Sequence, residues 1–159
     1  MIESISVLFS GLASAAETAE VVQGLLRRRR GNARVLLEEV KENLGLCWAV
    51  VEYGADPMEV IPRLSTEEYD RLLREGYNFN RLGRRKRIRG SRRLEGSDLS
   101  SFVGKETADL VESIYDRVKE LKRLYRVCRD HPRINWRRRI INVLKRMLLL
   151  VEHVRGREV

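Results

Sequence analysis

Apolar residues recur over the first 26 positions of the chain at alternating steps of three and four residues. They are Ile5, Leu8, Leu12, Ala15, Ala19, Val22 and Leu26. This spacing puts all of them on one face of an α-helix, as in a helix that packs in a bundle. The basic run at 27–30, followed by Gly31, is typical of a helix end, because cations are favourable in the last turn. The pattern therefore predicts a helix over about residues 2–30.

The same spacing returns three times, and a capping signal marks one further helix. Long helices are predicted over about 33–54, 105–129 and 132–155, the last with Pro132 in its first position. A short helix over about 66–75 follows from a capping box with Ser65 at N-cap and Glu68 at N3.

Between the short helix and the next long one, residues 77–98 show no sustained period and contain three glycines. We expect an irregular linker there, of the kind that is usually functional or mobile. No stretch alternates with the period of a strand. The predicted fold is all-α, a single domain over residues 1–159. We expect a four-helix bundle of two helical hairpins, with the short helix and the linker between them.

The last predicted helix is apolar over an unusually wide arc. Ile141, Leu148 and Leu149 lie outside the face that would pack in the bundle. Such a helix is either central in the fold or packs against another subunit. We therefore expect a homo-oligomer or a helical protein partner.

Composition excludes several classes of protein. Hydrophobic residues make up 43% of the 159 residues and charged residues 35%, unlike disordered or membrane-spanning chains. The apolar N-terminal stretch contains Glu17 and Glu20 and lacks a basic start, so we expect no signal peptide and no membrane association. With two cysteines and no CxxC spacing, the expected location is the reducing cytoplasm.

The net charge of +9 is distributed unevenly along the chain. Residues 1–80 sum to −4 and residues 81–159 to +13. The surplus lies in the linker, where 81–96 give +7, and in the last helix region, where 131–159 give +6. Because 26 of the 32 cations are arginine, whose fork pairs with two phosphate oxygens, these segments indicate a phosphate-rich partner.

We therefore predict a non-enzymatic protein that binds the phosphate backbone of DNA or RNA. The candidate linker residues are Arg81, Arg84, Arg85, Lys86, Arg87, Arg89, Arg92 and Arg93. The candidate residues of a basic stripe on the last helix are Arg138, Arg139, Lys145 and Arg146. If the linker and the stripe meet, they form one basic groove.

Two other interpretations remain open for the linker. It could be a solvated loop that docks on the acidic face of the second helix, which carries Glu38, Glu39, Glu42 and Glu52. Alternatively, the acidic and basic halves of the chain could serve an interaction or assembly subunit. The run at 27–30 is interpreted as helix-end stabilisation.

Signals for catalysis, metals and cofactors are few. Cys47 and Cys128 lie on apolar helix faces, and two widely spaced histidines add too few ligands for a metal site. We expect no metal and no cofactor.

Two arginine–histidine pairs have a noteworthy spacing. Four residues separate Arg126 from His131, and six separate Arg146 from His153. Both pairs resemble the Arg-x(4–6)-His motif of HEPN-type ribonucleases, small helical bundles that cut RNA without metal. The resemblance implies acid–base chemistry by His131 and phosphate binding by Arg126, and gives a second alternative function.

Overall fold

The structure, a computed structural model, describes the backbone of residues 2–156 and the side chains of residues 5–156. Within this range the chain forms seven α-helices and no strand, which confirms the all-α class. The helices are α1 (Ile2–Leu8), α2 (Ala15–Arg28), α3 (Gly31–Tyr53), α4 (Pro57–Val60), α5 (Glu67–Arg74), α6 (Thr107–Cys128) and α7 (Trp136–Arg155). Single 3-10 turns lie at Ile61–Arg63, Phe79–Leu82 and Ser100–Phe102. Met1 and residues 157–159, which the predicted domain includes, lie outside the described range.

The single helix predicted over 2–30 is wrong, because the chain breaks between α1 and α2. Gly11 has φ +78°, a left-handed conformation that glycine adopts readily and that ends a right-handed helix. Ser14 then caps α2, its hydroxyl accepting from the Glu17 N–H at 3.1 Å. The Glu17 carboxylate in turn accepts from the Ala13 N–H at 2.9 Å. A capping pair therefore starts a new helix inside the apolar pattern.

Helix α3 packs against α2 and α7 and carries the largest buried side chain, Trp48. The Trp48 indole N–H donates to Thr18 Oγ1 of α2 at 3.2 Å, so its polar atom is satisfied inside the core. Gly54 ends α3 with φ +69°, where the sequence pattern places the end of this helix.

Helix α7 is central, with contacts to α2, α3, α4 and α6. The three residues that made its apolar arc unusually wide, Ile141, Leu148 and Leu149, are 2%, 0% and 3% exposed. The width is thus explained by burial within the chain, and the apolar face gives self-association no support. No described helix is both long and apolar enough to cross a bilayer.

The start of α7 also differs from the prediction. Pro132 lies in the connecting loop, and Asn135 is the N-cap, its side-chain oxygen accepting from the Arg138 N–H at 3.0 Å. Asparagine is among the strongest N-cap residues, whereas Pro132 marks an earlier turn.

The capping box predicted for the short helix is replaced by a contact from a distant helix. Ser65 Oγ accepts weakly from the Glu67 N–H at 3.3 Å, but the Glu68 carboxylate bonds Arg71 at 2.8 Å. The N-terminal N–H groups of α5 are bonded instead by Glu39 of α3. Its carboxylate accepts from the backbone N–H of Glu68 at 2.8 Å and of Tyr69 at 3.2 Å.

Candidate nucleic-acid interface

Residues 81–93, called the basic segment here, are ordered against the helices. Four apolar side chains of the segment and the residues after it are buried in the core. They are Leu82, Ile88, Leu94 and Leu99. The Ile88 N–H donates to the Lys105 carbonyl, and the Gly104 N–H donates to the Ile88 carbonyl, both at 2.9 Å. The Thr107 N–H donates to the Lys86 carbonyl at 2.8 Å. The segment is therefore irregular, as predicted, yet fixed to the turn before α6.

Several cations of this segment are engaged by that same turn. Lys86 Nζ lies 2.8 Å from the Glu106 carboxylate. Hydrogen bonds from Lys86 and Asn80 lower the pKa of the Glu106 carboxyl. The Arg87 guanidinium donates to the Gly104 carbonyl at 2.8 Å. Arg85, which is half-buried, and Arg89 line a cavity described below.

The other four arginines of the segment point to solvent. They are Arg81, Arg84, Arg92 and Arg93. Among the side chains of residues 5–156, no acidic group pairs with any of the four, and no hydrogen bond engages their guanidinium groups. Four unneutralised cations on an ordered segment form a surface to which an anion can bind.

The arginine run at the end of α2 lies beside this surface. Arg29 Nη2 donates to the Val154 carbonyl near the end of α7 at 3.5 Å. Burial raises the pKa of Tyr77, while the charges of Arg81 and Arg29 oppose that shift, so both cations lie near the same ring. The run was interpreted from sequence as helix-end stabilisation, and no local signal indicates its proximity to the segment.

We call this surface the basic end. It consists of the exposed residues Arg27, Arg28, Arg30, Arg81, Arg84, Arg92 and Arg93. It lies at the carboxyl-terminal end of α7, because the segment packs there and Arg29 contacts Val154.

The predicted stripe on the last helix is divided. Arg138 and Arg139 line a cleft of about 360 Å³ together with Arg117 and Arg133, and Arg139 lies 3.5 Å from Glu120. Further along the helix, Lys145 lies 3.5 Å from Asp98. Arg146 is 9% exposed, so it is inaccessible to a large ligand.

The linker and the stripe do not form a single groove. Arg138 and His153, which mark the cleft and the basic end, are 15 positions apart on α7. At about 1.5 Å per residue, they are about 22 Å apart along the helix axis. The predicted site residues thus lie in two separate regions of the surface. Arg146 is buried and belongs to neither.

A cavity of about 480 Å³ opens at the basic end. Its apolar lining comes from the end of α1 and the residue after it, from the basic segment and the residue after it, and from α7. The lining residues are Leu8, Phe9, Ile88, Leu94 and Leu149. His153 lies in its wall, with Nε2 2.7 Å from Thr107 Oγ1. Burial is the main cause that lowers the pKa of His153, so the ring favours its neutral form.

No protein family, curated protein or solved structure matches this chain.

The two arginine–histidine pairs are differently placed. His131 Nδ1 accepts from the Arg133 N–H at 3.2 Å, so this histidine stabilises the loop before α7. Arg126, its partner in the motif, is exposed in the last turn of α6. In the second pair, His153 reaches the cavity, whereas the Arg146 guanidinium lies over the Phe102 ring, 5.7 Å from its centroid.

Among the described residues, no group of three or more metal-ligating side chains comes together. Cys47 is buried, which raises the pKa of its thiol to about 12 and makes it unreactive.

Replacing Arg146 with Met is expected to leave the free energy of unfolding unchanged or to raise it by up to about 1 kcal/mol. Burial lowers the pKa of Arg146. Its Nη1 donates to the Asn142 carbonyl at 3.0 Å, but its Nε has no hydrogen-bond partner, so the buried charge is only partly compensated. Urea denaturation followed by circular dichroism measures this change. A loss of more than about 2 kcal/mol would show that the Phe102 contact outweighs the desolvation cost.

Proposed function

We propose that this protein binds nucleic acid through the phosphate backbone, at the basic end. The observation that carries the proposal is the exposure of Arg84, Arg92 and Arg93 on an ordered segment, with no acidic partner in the described chain. Arginine at such a surface binds phosphate bidentately, and each contact releases counterions from the nucleic acid.

The contacts of the acidic helix favour this interpretation over docking of the segment on its own chain. In α3, Glu38 pairs with Arg34 at 3.0 Å and Glu39 bonds the start of α5. Glu52 accepts from the Ala15 N–H at 2.7 Å. None of these contacts engages the basic segment, so the acidic helix leaves Arg81, Arg84, Arg92 and Arg93 unpaired among the described residues.

We further propose that the four long helices form a four-helix bundle of two hairpins, α2 with α3 and α6 with α7. The contacts of α3 with α7 support this arrangement, since they join one hairpin to the other. Two unpaired thiols are consistent with the cytoplasmic location that we propose.

The test is a titration of a fluorescein-labelled DNA duplex and a single strand of the same sequence, followed by anisotropy. We expect binding tighter than about 10⁻⁴ M at about 50 mM salt. If the four exposed arginines of the segment each contact one phosphate, log K against log salt should fall with a slope of about −3 to −4.

Absence of binding to both probes at low salt would overturn the proposal. The basic end would then be better explained as a binding site for a protein with an acidic surface.

A further inference from the structure

The cavity at the basic end has the dimensions of a ligand site. Its volume of about 480 Å³ lies within the range of about 300–1,000 Å³ that is usual for small-molecule pockets. Phe9, Ile88 and Leu149 from three different parts of the chain form its apolar surface. The volume and the lining therefore suit an apolar group.

The wall of the cavity also carries an under-used hydrogen-bond acceptor. Glu152 lines the cavity, and its carboxylate accepts one hydrogen bond from a described residue, from Arg155 to Oε1 at 3.3 Å. Oε2 lies 3.1 Å from the same Arg155 nitrogen but receives no hydrogen bond in the described structure. Oε2 is shielded from solvent while the Glu152 side chain is 22% exposed, so a ligand N–H donor would bond Oε1, which has room for a further donor.

The rim of the cavity is cationic. Arg92 and Arg93 line it, and both belong to the exposed arginines without an acidic partner in the described chain. The cavity thus joins an apolar interior, a carboxylate acceptor and a positive rim.

We propose that this cavity takes one unstacked base of a single-stranded nucleic acid, with the flanking phosphates on Arg92 and Arg93. The inference rests on the proposed function and extends it to the class of nucleic acid. The base faces fit the apolar interior, and N–H groups on the base edge meet the Glu152 carboxylate. An acyl chain with an anionic head fits less well, because it would cover the carboxylate without offering it a donor.

Three labelled probes separate base binding from phosphate binding: a single strand, a duplex of the same sequence, and an abasic single strand that keeps every phosphate. We expect the wild-type protein to bind the single strand about tenfold or more tightly than the other two. The difference in affinity between the single strand and the abasic strand reflects base binding, since both strands carry the same phosphates.

Two variants test the cavity itself. Leu149→Trp fills it, and Glu152→Gln removes the carboxylate while keeping an oxygen for Arg155. We expect both to abolish the preference for the single strand over the abasic strand. Leu149→Trp should leave abasic and duplex binding unchanged, and Glu152→Gln, which removes a negative charge beside the rim, should not weaken them. Val127→Trp, at a position of α6 that is 78% exposed and does not line the cavity, is the control and should retain the preference. Circular dichroism verifies folding, and Glu152→Gln keeps the test valid if Leu149→Trp unfolds.

The possible failures are distinct. If no probe binds, both the proposed function and this inference are overturned. If all three probes bind equally, phosphate binding stands and the cavity proposal is overturned. If both variants fold and still prefer the single strand, the cavity proposal is also overturned.

Discussion

Exchange of Arg84, Arg92 and Arg93 for serine is expected to weaken nucleic-acid binding by about 1,000-fold at about 50 mM salt. Each lost phosphate contact changes the salt slope by about 0.9, so three contacts change it by about 2.7. The same arithmetic gives a loss of about 25-fold at about 200 mM salt. Anisotropy titrations of wild type and variant over this salt range measure both quantities.

The control for this experiment is a second triple variant with the same change in charge. Arg63, Arg74 and Arg123 are exposed and lie outside both the basic end and the cleft. Their exchange for serine should lower affinity much less, through the reduced net charge alone. An equal loss in the two variants would mean that binding follows overall charge and that the basic end is not a site.

Replacing Glu39 with alanine is expected to lower the free energy of unfolding by about 3–5 kcal/mol. The Glu39 side chain is buried, at 4% exposed, and accepts three hydrogen bonds from the start of α5. Besides the two backbone N–H groups, Ser65 Oγ donates to it at 3.0 Å. Alanine would leave these donors without a partner and detach the N-terminus of α5 from α3. Urea denaturation of both proteins measures the loss.

The neighbouring Glu38 provides a matched control for this variant. Its side chain is 49% exposed and pairs with Arg34 within the same helix. Glu38→Ala should change the free energy of unfolding by no more than about 0.5 kcal/mol. Equal effects at the two positions would show that the cap from α3 contributes nothing to stability.

The long helices could be predicted from sequence because their signal is local. The three- and four-residue spacing of buried positions such as Val111, Ile114 and Val118 in α6 follows from the helix period itself. The break between α1 and α2 has a local signal too, since Ser14 and Glu17 form a capping pair. The continuous apolar spacing over Leu8 and Leu12 favoured one helix, and the capping pair overrides it.

The capping of α5 could not be predicted, because Glu39 lies 26 positions before Ser65 in the sequence. A short capping motif was present, yet a buried carboxylate from another helix took its place. Local preference gives way where the tertiary fold supplies a better acceptor.

The candidate site was predictable in composition but not in geometry. The sequence indicates where arginines are dense, whereas the contacts that engage Lys86 and Arg87 and bury Arg146 are tertiary. The proximity of Arg29 to Val154 is tertiary as well, since 125 positions separate them. Apolar residues of the cavity come from both ends of the chain, and no motif connects them.

The anchoring of the basic segment has a consequence for the thermodynamics of association. A disordered arginine-rich tail loses conformational entropy when it binds, which reduces its affinity for a given set of contacts. Here Ile88 and Leu94 are already buried, and the backbone at Lys86 and Ile88 is already hydrogen-bonded before any ligand arrives. The entropy loss on binding is therefore confined mainly to the arginine side chains, and more of the phosphate contact energy remains as affinity.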